Sequence, residues 1–159
     1  MLHADELKME ENKTIGITSK IQAITCNNFK LAAIKPADQK KLDKDKFAFE
    51  FNMNIKMEPI KNEVIIHSLT KIYAEDSKEF YLGEIETTGI FELHNFQEIT
   101  KAYNGMMPNG VLSMFIGVLL STTRGILLVK SEGTFLSGAL MPIINTGSFF
   151  TNPETIVKK

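Results

Sequence analysis

The sequence holds a single cysteine, Cys26, and three scattered histidines, His3, His67 and His94. One cysteine excludes an intrachain disulfide and points to a reducing compartment. Cysteine and histidine this sparse match no recognised zinc spacing, so neither a metal nor another cofactor is expected. A charge surplus is missing too: 18 basic residues stand against 19 acidic ones, a formal net charge of -1. Nucleic-acid binding, which asks for a basic patch, is therefore not expected. The opening run MLHADELKMEENK has no apolar stretch of signal-peptide type, which together with Cys26 gives a cytoplasmic expectation. Nothing local activates Cys26 as a nucleophile. Gly133 and Gly138 are not followed by the Gly-Lys-Ser/Thr of a phosphate loop. No catalytic constellation stands out, so the chain reads as a binding protein and not as an enzyme.

Charge is also missing locally. Ala102 to Thr123 contains no Asp, Glu, Lys or Arg, and Ala102 to Pro153 carries only Arg124, Lys130 and Glu132. Within this region Pro108 to Glu132 predicts one long helix, with Asn109 as the candidate N-cap, Lys130 in the last turn and Gly133 as the stop. Val111 to Val129 has the length of a bilayer span, but Arg124 lies well inside it, beside Ser121, Thr122 and Thr123. The reading is a helix buried all round by protein, not inserted in a membrane. Gly117, Ser121 and Gly125 fall four apart on one face, where another backbone can come close. So much apolar surface exceeds what one small sheet hides, and burial between subunits is the simplest remedy.

Read in order, Met1 to Lys13 is a polar, flexible end, followed by one domain over 14–152 and a short tail, 153–159. Ile15, Ile17, Ile21 and Ala23 fall on odd positions, Asn27-Asn28 interrupts as a bulge, and Phe29, Leu31 and Ala33 resume. Phe47, Phe49, Phe51, Met53, Ile55 and Met57 alternate with polar or small residues, the cleanest strand signal in the chain. Val64 to Ala74 and Phe80 to Leu93 are two further strands. Leu82, Glu84 and Glu86 share the wet face of the last one, with the two glutamates roughly 7 Å apart. A solvated surface or a protein contact explains that pair better than acid-base chemistry. His94 to Met107 reads as a connector, and Asn152-Pro153-Glu154 as the cap of a last helical turn. The fold class is α+β: a four-stranded antiparallel meander, one long apolar helix packed on it and a short C-terminal helical stub.

Three stretches resemble the SecB family of export chaperones. Phe80-Tyr81-Leu82-Gly83-Glu84-Ile85 with Thr88-Gly89-Ile90-Phe91 is similar to the family's strand ending in Gly-Ile-Phe. Leu119-Leu120-Ser121-Thr122-Thr123-Arg124 resembles its helix motif Leu-Phe-Pro-Tyr-x-Arg without the proline and tyrosine. Ser131-Glu132-Gly133-Thr134-Phe135, with Pro142 nine after Gly133 and then Asn145, resembles a third family segment. The resemblance implies a homotetramer, a dimer of dimers, that holds unfolded preproteins and passes them to the translocase motor SecA. It puts motor contacts at Leu82 and Glu84, with Glu86 beside them. Aromatic and methionine side chains suit promiscuous client binding, and Phe91, Phe96, Tyr103, Met106, Met107, Phe149 and Phe150 are the candidates. Gly117, Ser121 and Gly125 are the candidate subunit contacts. The family's longer C-terminal helix and acidic tail are replaced here by a stub. That departure leaves a second reading open: a SecB-like chaperone dedicated to one partner, such as a toxin–antitoxin pair, without an export role.

Overall fold

Phe47–Glu58, the stretch of strictest alternation, forms strand β2 and pairs antiparallel with β3 (Glu63–Ala74) over its whole length without a register break. The computed structural model describes residues 15–43, 46–74 and 77–151; the stretch 1–13, the tail 153–159 and the Asn152-Pro153-Glu154 cap lie outside them. Between β2 and β3 the chain turns at Pro59 to Asn62. Asn62 takes a left-handed conformation, φ 57°, that asparagine tolerates better than most residues, and its N–H donates to the Pro59 carbonyl at 3.3 Å. Strand β4 (Ser77–Leu93) pairs with β3 on the side away from β2, which completes the expected meander.

The first strand departs from that pattern. β1 (Ser19–Leu31) lies against β4, so the sheet order is β1-β4-β3-β2. The connection to β2 carries α1 (Pro36–Gln39), where Pro36 presets the φ of the first turn. β1 is broken twice, once at Gln22 and once at Asn27, where the register with β4 slips by a residue. The second slip is the bulge that Asn27-Asn28 predicted.

The long helix α3 (Asn109–Ser131) covers one face of this sheet, packing across β4, β1 and β3. Val111, Leu112, Phe115, Ile116, Leu119 and Leu120 point into the sheet, and the Phe91 and Phe115 rings stack 4.4 Å apart at 9°. Each such buried side chain contributes about 1.5–3 kcal/mol. A second cluster, around Ile72, Leu82, Ile85, Leu127, Leu136 and Met141, fills the other end. Between the two clusters runs a belt of hydroxyls. Thr87 and Thr123 bond each other at 2.7 Å, whereas the Ser68 and Thr70 hydroxyls are buried without a partner among the described residues. α3 is long and apolar enough to span a bilayer by composition, but these contacts make it the core helix of the domain.

The helix ends as the sequence predicted, at Gly133 with φ 75° and Lys130 in the last turn. Its start shifts by one residue: Pro108 is the N-cap, its carbonyl accepts from Val111 and Leu112, and Asn109 is the first helical residue. The connector holds a helix of its own, α2 (Phe96–Ala102), which buries Phe96, Ile99 and Thr100 at helical spacing. The C-terminal stub is α4 (Ser148–Thr151). Arg124 fastens the segment before it: Nε donates to the Met141 carbonyl at 2.7 Å and Nη2 to the Pro142 carbonyl at 2.8 Å.

Candidate functional site

The aromatic and methionine candidates divide into two groups. Phe91, Phe96, Met107 and Phe149 are 1–4% exposed and belong to the core of the chain itself, which corrects the expectation that they line a groove. Phe91 is committed to its stack on Phe115. The room for its ring comes from Gly89, where a Cβ would stand 2.7 Å from Phe91 Cε2. Phe150 is partly buried against the same cluster. Tyr103 and Met106 are open to solvent, at 51% and 67%. Local backbone explains why: after α2, Asn104 (φ 55°) and Gly105 (φ 82°) turn the chain back, closed by the Gly105 N–H on the Thr100 carbonyl at 2.7 Å. That turn leaves Tyr103 and Met106 outside and sends Met107 under. Tyr103 rims an apolar hollow of about 190 Å³ formed with Ile15, Ile17, Ile99, Pro108 and Val111.

Other uncovered apolar surface was missed at the level of single residues. Ile143, Leu140 and Ile60 are 91%, 63% and 97% exposed. More extensive is the core-side row of β2. Phe47, Phe49, Phe51, Met53, Ile55 and Met57 pack only partly against the two clusters. A helix with its side chains is about 10–12 Å wide, while four strands span roughly 19 Å, so one helix leaves an edge strand only partly covered. Both quantities were readable from the sequence, and the comparison between them is the signal for this row.

The opposite face of the sheet is polar. Glu84 and Glu86 are half-buried there, as the alternation predicted, but Leu82 is not with them. Leu82 is fully buried in the second core cluster. The pairing passes from Ile72↔Gly83 to Tyr73↔Tyr81, so Leu82 is the extra residue of a bulge and its side chain turns inward. The Tyr81 hydroxyl donates to Glu84 Oε2 at 2.8 Å. Burial, and then this bond to a carboxylate, push the Tyr81 phenol above its ordinary pKa. Further along, Thr88 donates to Asn27 Oδ1 at 2.6 Å and lies 2.8 Å from His67 Nδ1. With its own proton committed to Asn27, the hydroxyl accepts from Nδ1–H, which fixes the His67 tautomer. These side chains, with Asn52, Asn54 and Glu86, line an open hollow of about 390 Å³ across the strands.

The small-residue stripe of α3 also divides. Gly117 faces its own chain, where a Cβ would sit 3.8 Å from Thr146, and Ser113 bonds the Thr146 hydroxyl at 2.7 Å. Ser121 and Gly125 are exposed on the outward face, in line with Met114, Leu128 and Val129. Ser121, Thr122, Gly125, Ile126, Val129 and Lys130 bound an open, almost wholly apolar groove of about 490 Å³.

No protein-family model matches the sequence, and no curated protein matches it. Among solved structures, the SecB-like chaperone of Mycobacterium tuberculosis, in complex with a ChAD peptide from the HigA1 antitoxin, superposes with a TM-score of 0.50 at 13% identity. The match covers 79% of this chain and 87% of that one. A protein of unknown function from Streptococcus agalactiae gives a TM-score of 0.39 at 9% identity, over 74% of this chain and 90% of that one. This chain, a four-stranded antiparallel sheet in the order β1-β4-β3-β2 under one long helix, thus superposes on that structure over 79% of its length, and its fold is SecB-like.

Proposed function

We propose that the protein is a chaperone that holds extended apolar polypeptide segments. One observation carries this reading: large apolar side chains stay half-covered in the row along β2 and open to solvent at Tyr103 and Met106. Contiguous apolar surface of this kind marks a binding face. Methionine and aromatic side chains repack around different sequences at low cost. The SecB-like fold supports the reading, because its Mycobacterium tuberculosis example is in complex with a peptide. In this proposal the protein works in the cytoplasm without metal or other cofactor, as a homotetramer whose subunits meet through the α3 face carrying Ser121 and Gly125.

Two uses of such a holdase fit. One is delivery of preproteins to the motor SecA, for which Glu84 and Glu86 supply a carboxylate rim and Leu82, being buried, supplies nothing. The other is service to one partner, favoured by the antitoxin peptide in the neighbouring structure. The test is suppression of client aggregation by light scattering, with wild type and with Tyr103→Ser/Met106→Ser. Wild type is expected to suppress at a stoichiometric ratio and the double variant to need several-fold more protein. Wild type that leaves aggregation untouched sinks the proposal. Running a general unfolded precursor in parallel with an antitoxin encoded beside this gene separates the two uses.

A further inference from the structure

The chain holds two Asn-Gly pairs, Asn104-Gly105 and Asn109-Gly110, both exposed in the stretch that joins α2 to α3. In such a pair the glycine nitrogen can attack the asparagine side-chain carbonyl, because glycine has no Cβ to hinder the approach. A Cβ built on either Gly105 or Gly110 meets nothing within 4 Å, so both pairs have room for the reaction. Space does not separate them.

The state of the attacking nitrogen does. The Gly105 N–H is committed: it donates to the Thr100 carbonyl at 2.7 Å and closes the turn after α2. A nitrogen held in that bond keeps its proton and does not attack. Gly110 is instead the second residue of α3, among the first-turn N–H groups that no carbonyl of the helix can reach. Val111 and Leu112 both donate to the Pro108 carbonyl, and among the described residues no backbone carbonyl accepts from the Gly110 N–H. To react, Asn109 must leave its helical conformation, which breaks those two bonds and leaves the rest of α3 in place. Helix ends fray, and this one has no side-chain cap to hold it.

We propose that Asn109 is a modification site, at which water converts the side-chain amide to an acid. The Gly110 nitrogen gives up its proton and bonds to Cγ of Asn109. The Cγ–Nδ2 bond breaks, and Nδ2 leaves with that proton as ammonia. Water then opens the resulting succinimide at one of the two carbonyl bonds of the ring nitrogen. Breaking the bond to Cγ gives aspartate, and breaking the bond to the main-chain carbonyl carbon gives isoaspartate. One water is consumed and one ammonia released, with no oxidant and no enzyme. Each product puts a carboxylate in the first turn of α3, which has no acidic residue and where the helix dipole favours one. Gly110 is also a wall of the apolar hollow rimmed by Tyr103, so the new charge stands beside it. This chemistry is independent of the chaperone reading.

Peptide mapping tests the site. The full chain is kept folded in mildly alkaline buffer for days and then cleaved with trypsin. One tryptic peptide, Ala102 to Arg124, carries both pairs, so tandem mass spectrometry reads them side by side. Asn109 is expected to convert several-fold faster than Asn104. In urea, where neither nitrogen is held, the two rates are expected to converge. Gly110→Ala is expected to slow conversion of Asn109 several-fold and to leave Asn104 as it was. Asn104 converting as fast as Asn109 in the folded protein overturns the proposal. So does a folded protein in which neither converts while both convert in urea. A rate ratio unchanged by urea overturns it as well, because the selectivity then comes from neighbouring sequence and not from the fold. The charge is read separately: Asn109→Asp is expected to raise the urea midpoint, and an equal or lower midpoint overturns the gain at the start of α3.

Discussion

Gly89 owes its place to Phe91. A side chain at 89 meets the Phe91 ring at 2.7 Å and Leu119 Cδ1 at 3.3 Å, so the ring must leave its stack on Phe115. Gly89→Val is expected to cost about 1–3 kcal/mol, seen as a lower urea midpoint at unchanged slope. Gly83 is held as closely, because a Cβ there stands 2.6 Å from the Lys30 carbonyl oxygen of β1. At this scale the sequence was readable wherever alternation persisted. Parity puts Tyr81, Ile85, Phe91 and Leu93 on one face and Glu84 and Glu86 on the other, and all but Tyr81, which lies beyond the bulge and bonds Glu84, are found so. Leu82 was not readable, because its bulge is set by pairing with β3 and no local pattern records that pairing. Phe96 and Met107 were misassigned for a related reason: an aromatic or methionine suits a groove wall and a core equally well by type.

At the scale of elements, α3 announced itself by absence of charge and by a glycine stop. The helix α2 did not, because it is short and Phe96, Ile99 and Thr100 are too few to establish a period. Nor could local pattern place β1 beside β4, since neighbour choice in a sheet depends on non-local contacts. Arg124 joins two elements. Its two charge-assisted bonds hold the carbonyls of Met141 and Pro142 against α3, which gives a structural reason for an arginine in this apolar helix. Arg124→Leu is expected to cost about 2 kcal/mol. Hydrogen exchange should show faster exchange in the segment from Met141 to Phe149, while amides around Leu119 keep their protection.

At the scale of the whole molecule, apolar surface remains outside the core. The outward face of α3, with Met114, Leu128 and Val129 exposed beside Ser121 and Gly125, is the part most like an interface core. Val129 is 73% exposed in the single chain, so Val129→Glu leaves the fold intact and places a charge in that face. Light scattering is expected to show a lower mass for Val129→Glu with an unchanged circular dichroism spectrum; equal masses would rule out α3 as a subunit contact. That apolar surface would stay outside one domain was an expectation read from the uncharged C-terminal third. Which faces carry it could not be read, because that depends on what one helix covers and what the edge strands leave open.

The place of β1 also bears on how the chain is made. Ser19 pairs with Leu93 and Leu31 with Gly83, so the first strand to be synthesised has no native neighbour until the fourth exists. Meanwhile β2, β3 and β4 can form by successive tight turns, which close quickly. β1 therefore completes the sheet last, and a nascent chain halted before Leu93 holds both of its eventual edge strands without the sheet that joins them.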